Sequence, residues 1–345
     1  MKKAGSTSRF LWARVSWYLV GLCCLCTGAW SLPSTCSADD LFVGSFNTNP
    51  GIYEYDATTG AFIAKFGTTD TFPLGAAFGP SGSLFVSDSN TDSVLRFDGT
   101  ASTFASSLDN AAGVAFGTNG NLFVVSSSSP GLLTELNGTT GAVISTSDAG
   151  GILADPEGVT RGPDGNIYVA GGDGNNVLKF NGTTGAFIGT FVTAGAGGLQ
   201  SARGVAFGPD GNLYVTSFGT NQVLEYNGTT GAFIGVFASG TGACSGLSLP
   251  RDLTFGPNNN LFVSSYGSGD VFEFNGSTGA CVSDFVTAGT GGLGSPTFVV
   301  FGQLTGGSSS VPEPSSLALA ACGLAALAAM RRRRNPSKLT PWLAA

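Results

Sequence analysis

The sequence predicts an all-β fold, a six-bladed β-propeller closed by both termini, and three observations carry that reading. The first is composition. Of 345 residues 54 are Gly, 42% are hydrophobic and only 11% are charged, which suits a turn-rich chain that still has the apolar matter for a core. The second is a repeat. An aromatic-Val pair returns at Phe42-Val43, Phe85-Val86, Phe123-Val124, Tyr168-Val169, Tyr214-Val215 and Phe262-Val263, spaced by 43, 38, 45, 46 and 48 residues, the length of one four-stranded blade. The third is the order of phrases at the two ends. The repeat region opens on the second strand of a unit, Leu41 to Ser45, and the missing first strand stands at its far end as Pro296 to Gly302. Residues 41–303 therefore read as one ring without a free sheet edge at its seam.

Each unit parses in the same way. In the fifth, the apolar run Gly204 to Phe207 meets Pro209-Asp210-Gly211, where Pro presets one turn angle and Gly accepts a positive φ. Strand Leu213 to Ser217 follows, then a polar loop and Val223 to Tyr226. Asn227-Gly228 is read as the tight two-residue hairpin leading into Ala232 to Phe237. Strands buried on both faces by neighbouring blades read as nearly continuous apolar runs.

The phrase GVAFGPDGNLYV at residues 204–215 resembles the NHL repeat and its relatives, the regucalcin-like and streptogramin-lyase-like propellers. The resemblance implies the fold over about 260 residues and leaves activity open, because these families share the repeat and not the chemistry. The Asp-x-x-Asn-x-Arg signature of NHL repeats is degraded here, to DSNTDS at 88–93 and DGNN at 173–176.

The two ends read as addresses. Residues 1–38 join a basic start, an apolar run from Val15 to Ala29 and a small-residue exit at Cys36-Ser37-Ala38, the pattern of a cleavable secretory signal peptide. After a Gly/Ser linker at 304–311 comes Pro312-Glu313-Pro314, an apolar stretch from Ser315 to Met330 and the block Arg331, Arg332, Arg333 and Arg334. Sixteen helical residues span about 24 Å, enough for a thin transmembrane helix with the arginines as stop-transfer signal. This order resembles the PEP-CTERM sorting signal of Gram-negative bacteria. The resemblance implies an exosortase-type partner that processes the tail and a location at the cell envelope or outside it, with the C-terminal helix as a transient membrane anchor. Residues 335–345 follow the arginines as a short cytoplasmic tail where the signal usually stops.

Charge narrows the chemistry. The chain has no histidine, which removes Ser/His/Asp triads, Cys/His pairs and His-ligated metals. Its net charge of -7 conceals two basic ends, since residues 39–310 hold six basic residues against twenty-one acidic ones, a balance of -15. Such a domain repels nucleic acid and anionic lipid. Aligning the units brings Leu74, Ala112, Glu157, Arg203, Arg251 and Thr297 to one mouth of the central channel, with Asp252 where most units have Gly. Glu157, Arg203, Arg251 and Asp252 are read either as a small site for a Ca²⁺ ion or a sugar, or as structural salt bridges lining the mouth. Glu157 and Asp252 also fill two parts of the Glu, Asn and Asp set that holds a divalent ion in regucalcin-like enzymes, and no Asn stands ready for the third.

Two functions of different class follow. One is a non-enzymatic binding or scaffold module of the envelope or matrix, partnered by exopolysaccharide or envelope proteins. The other is a metal-dependent hydrolase or lactonase. Of seven cysteines, Cys244 and Cys281 fall in the exported domain, where an oxidising compartment invites a disulfide. The repeat places them at opposite faces of the disc, so the pairing stays open.

Overall fold

A computed structural model describes residues 39–304 apart from 47–48, 68–70, 99 and 129. The leader, the linker from residue 305 onward, the apolar stretch and the arginine block lie outside the described residues.

Six four-stranded antiparallel sheets surround an axis. The innermost strands are Pro73–Phe78, Ala111–Phe116, Pro156–Arg161, Ala202–Phe207, Pro250–Phe255 and Ser295–Gly302. The last of these belongs to the first blade and pairs antiparallel with Asp40–Phe46, Asp40 opposite Gly302 and Val43 opposite Val299. The ring is thus closed by both ends of the repeat region, as expected from the displaced first strand. Innermost strands run from an upper mouth to a lower one, and the connections into them lie on the upper side.

One local device is repeated at the axis. Pairing with the neighbouring strand slips between Pro73 and Ala76, and equivalently in the next four blades, leaving the second and third residues of the innermost strand as a bulge. The third residue is Gly75, Gly113, Gly158 and Gly204 in turn, and its reason is close approach: a Cβ on Gly158 would lie 2.2 Å from the carbonyl oxygen of Arg203. Hydroxyls satisfy the backbone the bulge exposes. Ser87 Oγ accepts from Gly75 N at 2.9 Å and Thr216 Oγ1 from Gly204 N at 2.7 Å. Gly158→Ala should therefore destabilise the domain by about 1–3 kcal/mol through overpacking, while Gly189→Ala, with open space around it, should stay within about 0.5 kcal/mol of wild type. Urea melts of the two variants check this.

Edge-on aromatic pairs recur between blades packed mainly through Val, Leu and Ala. A Phe at or next to the end of an innermost strand sets its ring edge-on against the ring of the previous blade's second strand. The pairs are Phe78 on Phe42, Phe116 on Phe85, Phe207 on Tyr168, Phe255 on Tyr214 and Phe301 on Phe262, with centroids 4.9–5.5 Å apart. Exposed Arg161 takes that place in the fourth blade.

Two expectations need correction. The Asn-Gly sequences do not form two-residue turns. Asn227 Oδ1 accepts from the N–H groups of Thr229 and Thr230, Gly231 N donates to Asn227 O, and the positive φ of 71° falls on Gly231, not Gly228. Gly228 is needed for a different reason, since a Cβ there would meet Gly211 O at 1.7 Å. The same Asn caps recur at Asn137, Asn181 and Asn275.

Cys244 and Cys281 are also not on opposite faces, and they form a disulfide with Cα atoms 5.8 Å apart. The connection holding Cys244 is no rim loop. It turns back into the wedge between the fifth and sixth blades, where Cys244 is fully buried beside Val263, Phe272 and Phe274. Wedges widen away from the axis and must be filled. Elsewhere an aromatic does this: Phe233 lies over Gly197 and Phe62 over Gly291, each the first residue of an outer strand, the place that Cys281 holds in the sixth blade.

The seam carries a titratable pair. Burial, then the charge of Asp40, pushes the Glu54 carboxyl up to about 7, and burial likewise raises Asp40, whose side chain hydrogen-bonds to Glu54. Folded protein therefore holds protons that the unfolded chain releases above its ordinary carboxylate range. That contribution to stability is full below about pH 4.5 and is lost as pH rises through 7. The melting temperature should fall between pH 5.5 and pH 8, and Glu54→Gln should flatten the fall.

Candidate functional site at the upper channel mouth

The bulge in each innermost strand turns its second residue toward the upper mouth, and this brings Glu157, Arg203 and Arg251 together from three consecutive blades. Arg251 Nη2 donates to Glu157 Oε2 at 2.7 Å, and Arg203 Nη1 donates to Glu157 Oε1. Arg203 Nη1 also meets Asp155 Oδ2 at 3.2 Å, and its Nε donates to Ser201 Oγ at 3.2 Å. Each guanidinium lies over an aromatic ring, Arg203 over Phe218 at 5.2 Å and Arg251 over Tyr266 at 5.3 Å. The side chains are 11% exposed for Glu157, 18% for Arg203 and 15% for Arg251, so these are charges held largely out of water. Arg251 Nε is buried and has no acceptor. Burial raises the Asp155 carboxyl against the pull of Arg203, and Glu157 adds to the rise.

Asp252 borders the same small void, but its hydrogen bonds go elsewhere. Standing half-buried at the glycine position of the bulge, it accepts at Oδ2 from Val299 N at 3.0 Å, while its own N–H donates to Ser264 Oγ at 2.9 Å. Burial pushes its carboxyl up to about 6. It staples the sixth blade to the closing strand.

The expected Ca²⁺ pair of Glu157 and Asp252 is accordingly not assembled. Both oxygens of Glu157 are taken by arginines, which would repel a cation, and one oxygen of Asp252 is taken by a backbone N–H. The donor set does not fit a divalent ion. Among the described residues no three His, Cys, Asp or Glu side chains gather as a metal site. Leu74 and Thr297 line the mouth as aligned, whereas Ala112 is buried in the core and Gly113 and Val114 line the mouth in its blade. Thr297 Oγ1 donates to Pro73 O at 2.7 Å, which ties the seam to the second blade.

Alignment of the repeats missed Asp155, Ser201, Phe218 and Tyr266. Asp155 and Ser201 precede their innermost strands in left-handed backbone, with φ of 46° and 51°. Phe218 and Tyr266 follow second strands at equivalent places, a signal that was present in the sequence. The void between Glu157, Arg203, Arg251, Asp252 and Thr297 is only about 40 Å³, room for roughly two or three waters. Beneath it the channel widens to about 340 Å³ between Ala and Val side chains such as Ala115, Val159 and Val300.

Comparison with known proteins bears on the two ends of the account. Residues 310–334 match the PEP-CTERM protein-sorting motif. The chain therefore carries an export and envelope-sorting tail, and the motif implies an exosortase-type processing partner. No curated protein matches the chain. Among solved structures, a nidogen/laminin complex is similar with a TM-score of 0.63 at 16% identity, over 77% of this chain and 99% of that one. A protein of unknown function from Bacteroides caccae gives 0.59 at 14% identity, over 77% and 99%. A streptogramin B lyase gives 0.52 at 14% identity, over 77% and 83%. At these identities the likeness is one of fold.

Proposed function

We propose that the protein is a binding module of the cell envelope, delivered by its sorting tail and gripping a hydroxyl-rich glycan such as exopolysaccharide at the upper mouth. The observation that carries this reading is the mutual saturation of the mouth's charges beside two aromatic faces. Glu157 sits between two arginines, so it is neither a free base nor a poised acid, and no histidine exists to replace it. Guanidinium groups already balanced by Glu157 and Asp155, beside half-buried Phe218 and Tyr266, offer what a neutral sugar needs: N–H donors for its hydroxyls and an apolar platform for the ring.

The alternative, a metal-dependent hydrolase or lactonase, draws on the fold it shares with streptogramin B lyase. It asks Glu157 and Asp252 to abandon their protein partners for a cation. A thermal-shift screen of the processed protein against acidic and neutral polysaccharides, lactones, Ca²⁺ and other divalent ions separates the two. A shift with a polysaccharide that Arg203→Ala abolishes supports binding, and metal-dependent turnover of a lactone refutes it.

A further inference from the structure

The central channel is nearly closed at one end and charged at the other. At the upper end the Glu157–Arg203–Arg251 cluster leaves a void of only about 40 Å³. Below it the channel holds about 340 Å³, within the size range of small-molecule sites, and is reached from the lower mouth. Each blade offers its innermost strand to the channel as a sheet edge, since that strand has a hydrogen-bonded neighbour on one side only. Backbone N–H and C=O groups unused by the ladder thus join Thr160 and Thr254 along the wall, and the space suits a polar solute better than a hydrocarbon chain.

The cation at the lower mouth breaks the repeat. Where five blades set a Phe ring, the fourth ends its innermost strand on Arg161, exposed and bordering the channel void. Among the described residues the other five basic side chains are all held: Lys65 by Asn49, Arg96 by Asp98, Lys179 by Asp164, and Arg203 and Arg251 by Glu157. Arg161 has no hydrogen bond, ion pair or ring partner among them. Residues 39–310 hold twenty-one acidic residues, and none of those described neutralises this guanidinium at the open end of a cavity.

We propose that the lower part of the channel binds a small polar carboxylate of monosaccharide size, its carboxylate on Arg161 and its hydroxyls against the strand edges and threonines above. A guanidinium fork meets a carboxylate through two parallel N–H donors. The domain's own charge selects the anion. With a balance of -15 over residues 39–310, a singly charged carboxylate is repelled half as much as a doubly charged phosphate. Depth sets the size. Arg161 stands three residues below Gly158, and Asp252 holds the place of Gly158 in its own blade and borders the same void. About 10 Å of strand therefore separate the cation from the acid at the deep end, which suits one sugar acid and opposes a second carboxylate. The site is separate from the glycan reading of the upper mouth, and neither depends on the other.

Calorimetric titration of the processed protein with glucuronate and with glucose tests this, because the two sugars differ by the carboxylate. Glucuronate should bind about ten-fold more tightly or better, and added salt should shrink the preference. Arg161→Gln and Arg161→Phe should each remove it. The second variant restores the residue type that other blades carry at this place, so it should keep the wild-type melting temperature. No binding of glucuronate at millimolar concentration, equal affinity for the two sugars, or a preference that survives in both variants would overturn the proposal. So would displacement of bound glucuronate by a neutral polysaccharide, which would put both at the upper mouth. Failure of the neutral polysaccharide to bind, with the glucuronate preference intact, would overturn the upper-mouth reading alone.

Discussion

Replacing Glu157 by Ala should cost about 3 kcal/mol of stability, near the lower bound for removing one partner from a buried ion pair, and should lower Tm by roughly 5–10 °C. Its carboxylate is the shared counter-ion of two arginines on different blades. Without it Arg203 keeps Asp155 and the Phe218 ring, but Arg251 is left largely buried with the Tyr266 ring and no ion pair. Two predictions follow from that asymmetry. Arg203→Ala should cost less than Glu157→Ala, because Glu157 retains Arg251. The double variant Glu157→Ala/Arg251→Ala should recover part of the loss, a coupling that a double-mutant cycle by urea denaturation measures directly. A loss below about 1 kcal/mol for Glu157→Ala would mean that water screens the cluster as it screens a surface pair.

Removing the disulfide is the second large effect. Cys244 and Cys281 are 37 residues apart, and a cross-link closing a loop of that size restricts the unfolded chain by about 4 kcal/mol. Cys244→Ala with Cys281→Ala should therefore destabilise the domain by about 2–4 kcal/mol, the shift being absent when both proteins are measured under reducing conditions. Other blades suggest a rescue. In the fourth, Phe187 begins the outer strand and meets Phe180 edge-on at 5.5 Å, and in the fifth Phe233 meets Tyr226 at 5.7 Å. Cys281 stands opposite Phe274 in the same register. Cys244→Gly with Cys281→Phe should regain part of the lost stability by filling the wedge as those blades do. A rescue variant no more stable than the double Ala variant would show that the covalent link, and not wedge filling, is what holds this pair of blades.

Much of this architecture is legible in the sequence because a propeller repeats its grammar. Phe85-Val86 and its counterparts mark second strands, and the orphan strand Pro296 to Gly302 announces the seam. What local reading misses is contact between units. Asn227-Gly228 looks like a hairpin turn, yet the left-handed residue is Gly231, and Gly228 exists because Gly211 O presses on it. Cys244 looks remote from Cys281 until its connection folds into the wedge. The candidate site divides in the same way. Alignment of the second bulge position brings Glu157, Arg203 and Arg251 together correctly. Asp252, at the next position of the bulge, borders the same void, but its carboxylate accepts from Val299 N, a partner in the closing strand that no alignment of repeats reveals. Phe218 and Tyr266 stand at equivalent places after their second strands, but only the folded ring shows that the two guanidinium groups rest on them.

The central claim is that the upper mouth recognises a ligand and does not transform one. Calorimetric titration of the processed protein with a neutral polysaccharide, repeated with its acidic counterpart and with Arg203→Ala and Phe218→Ala variants, tests it most directly. The account predicts saturable binding of the neutral polymer, weaker binding of the acidic one, and loss of affinity on either substitution, with the polymer recovered unchanged. Cleavage of the polymer, or Ca²⁺-dependent opening of a lactone that Glu157→Ala abolishes, would contradict it.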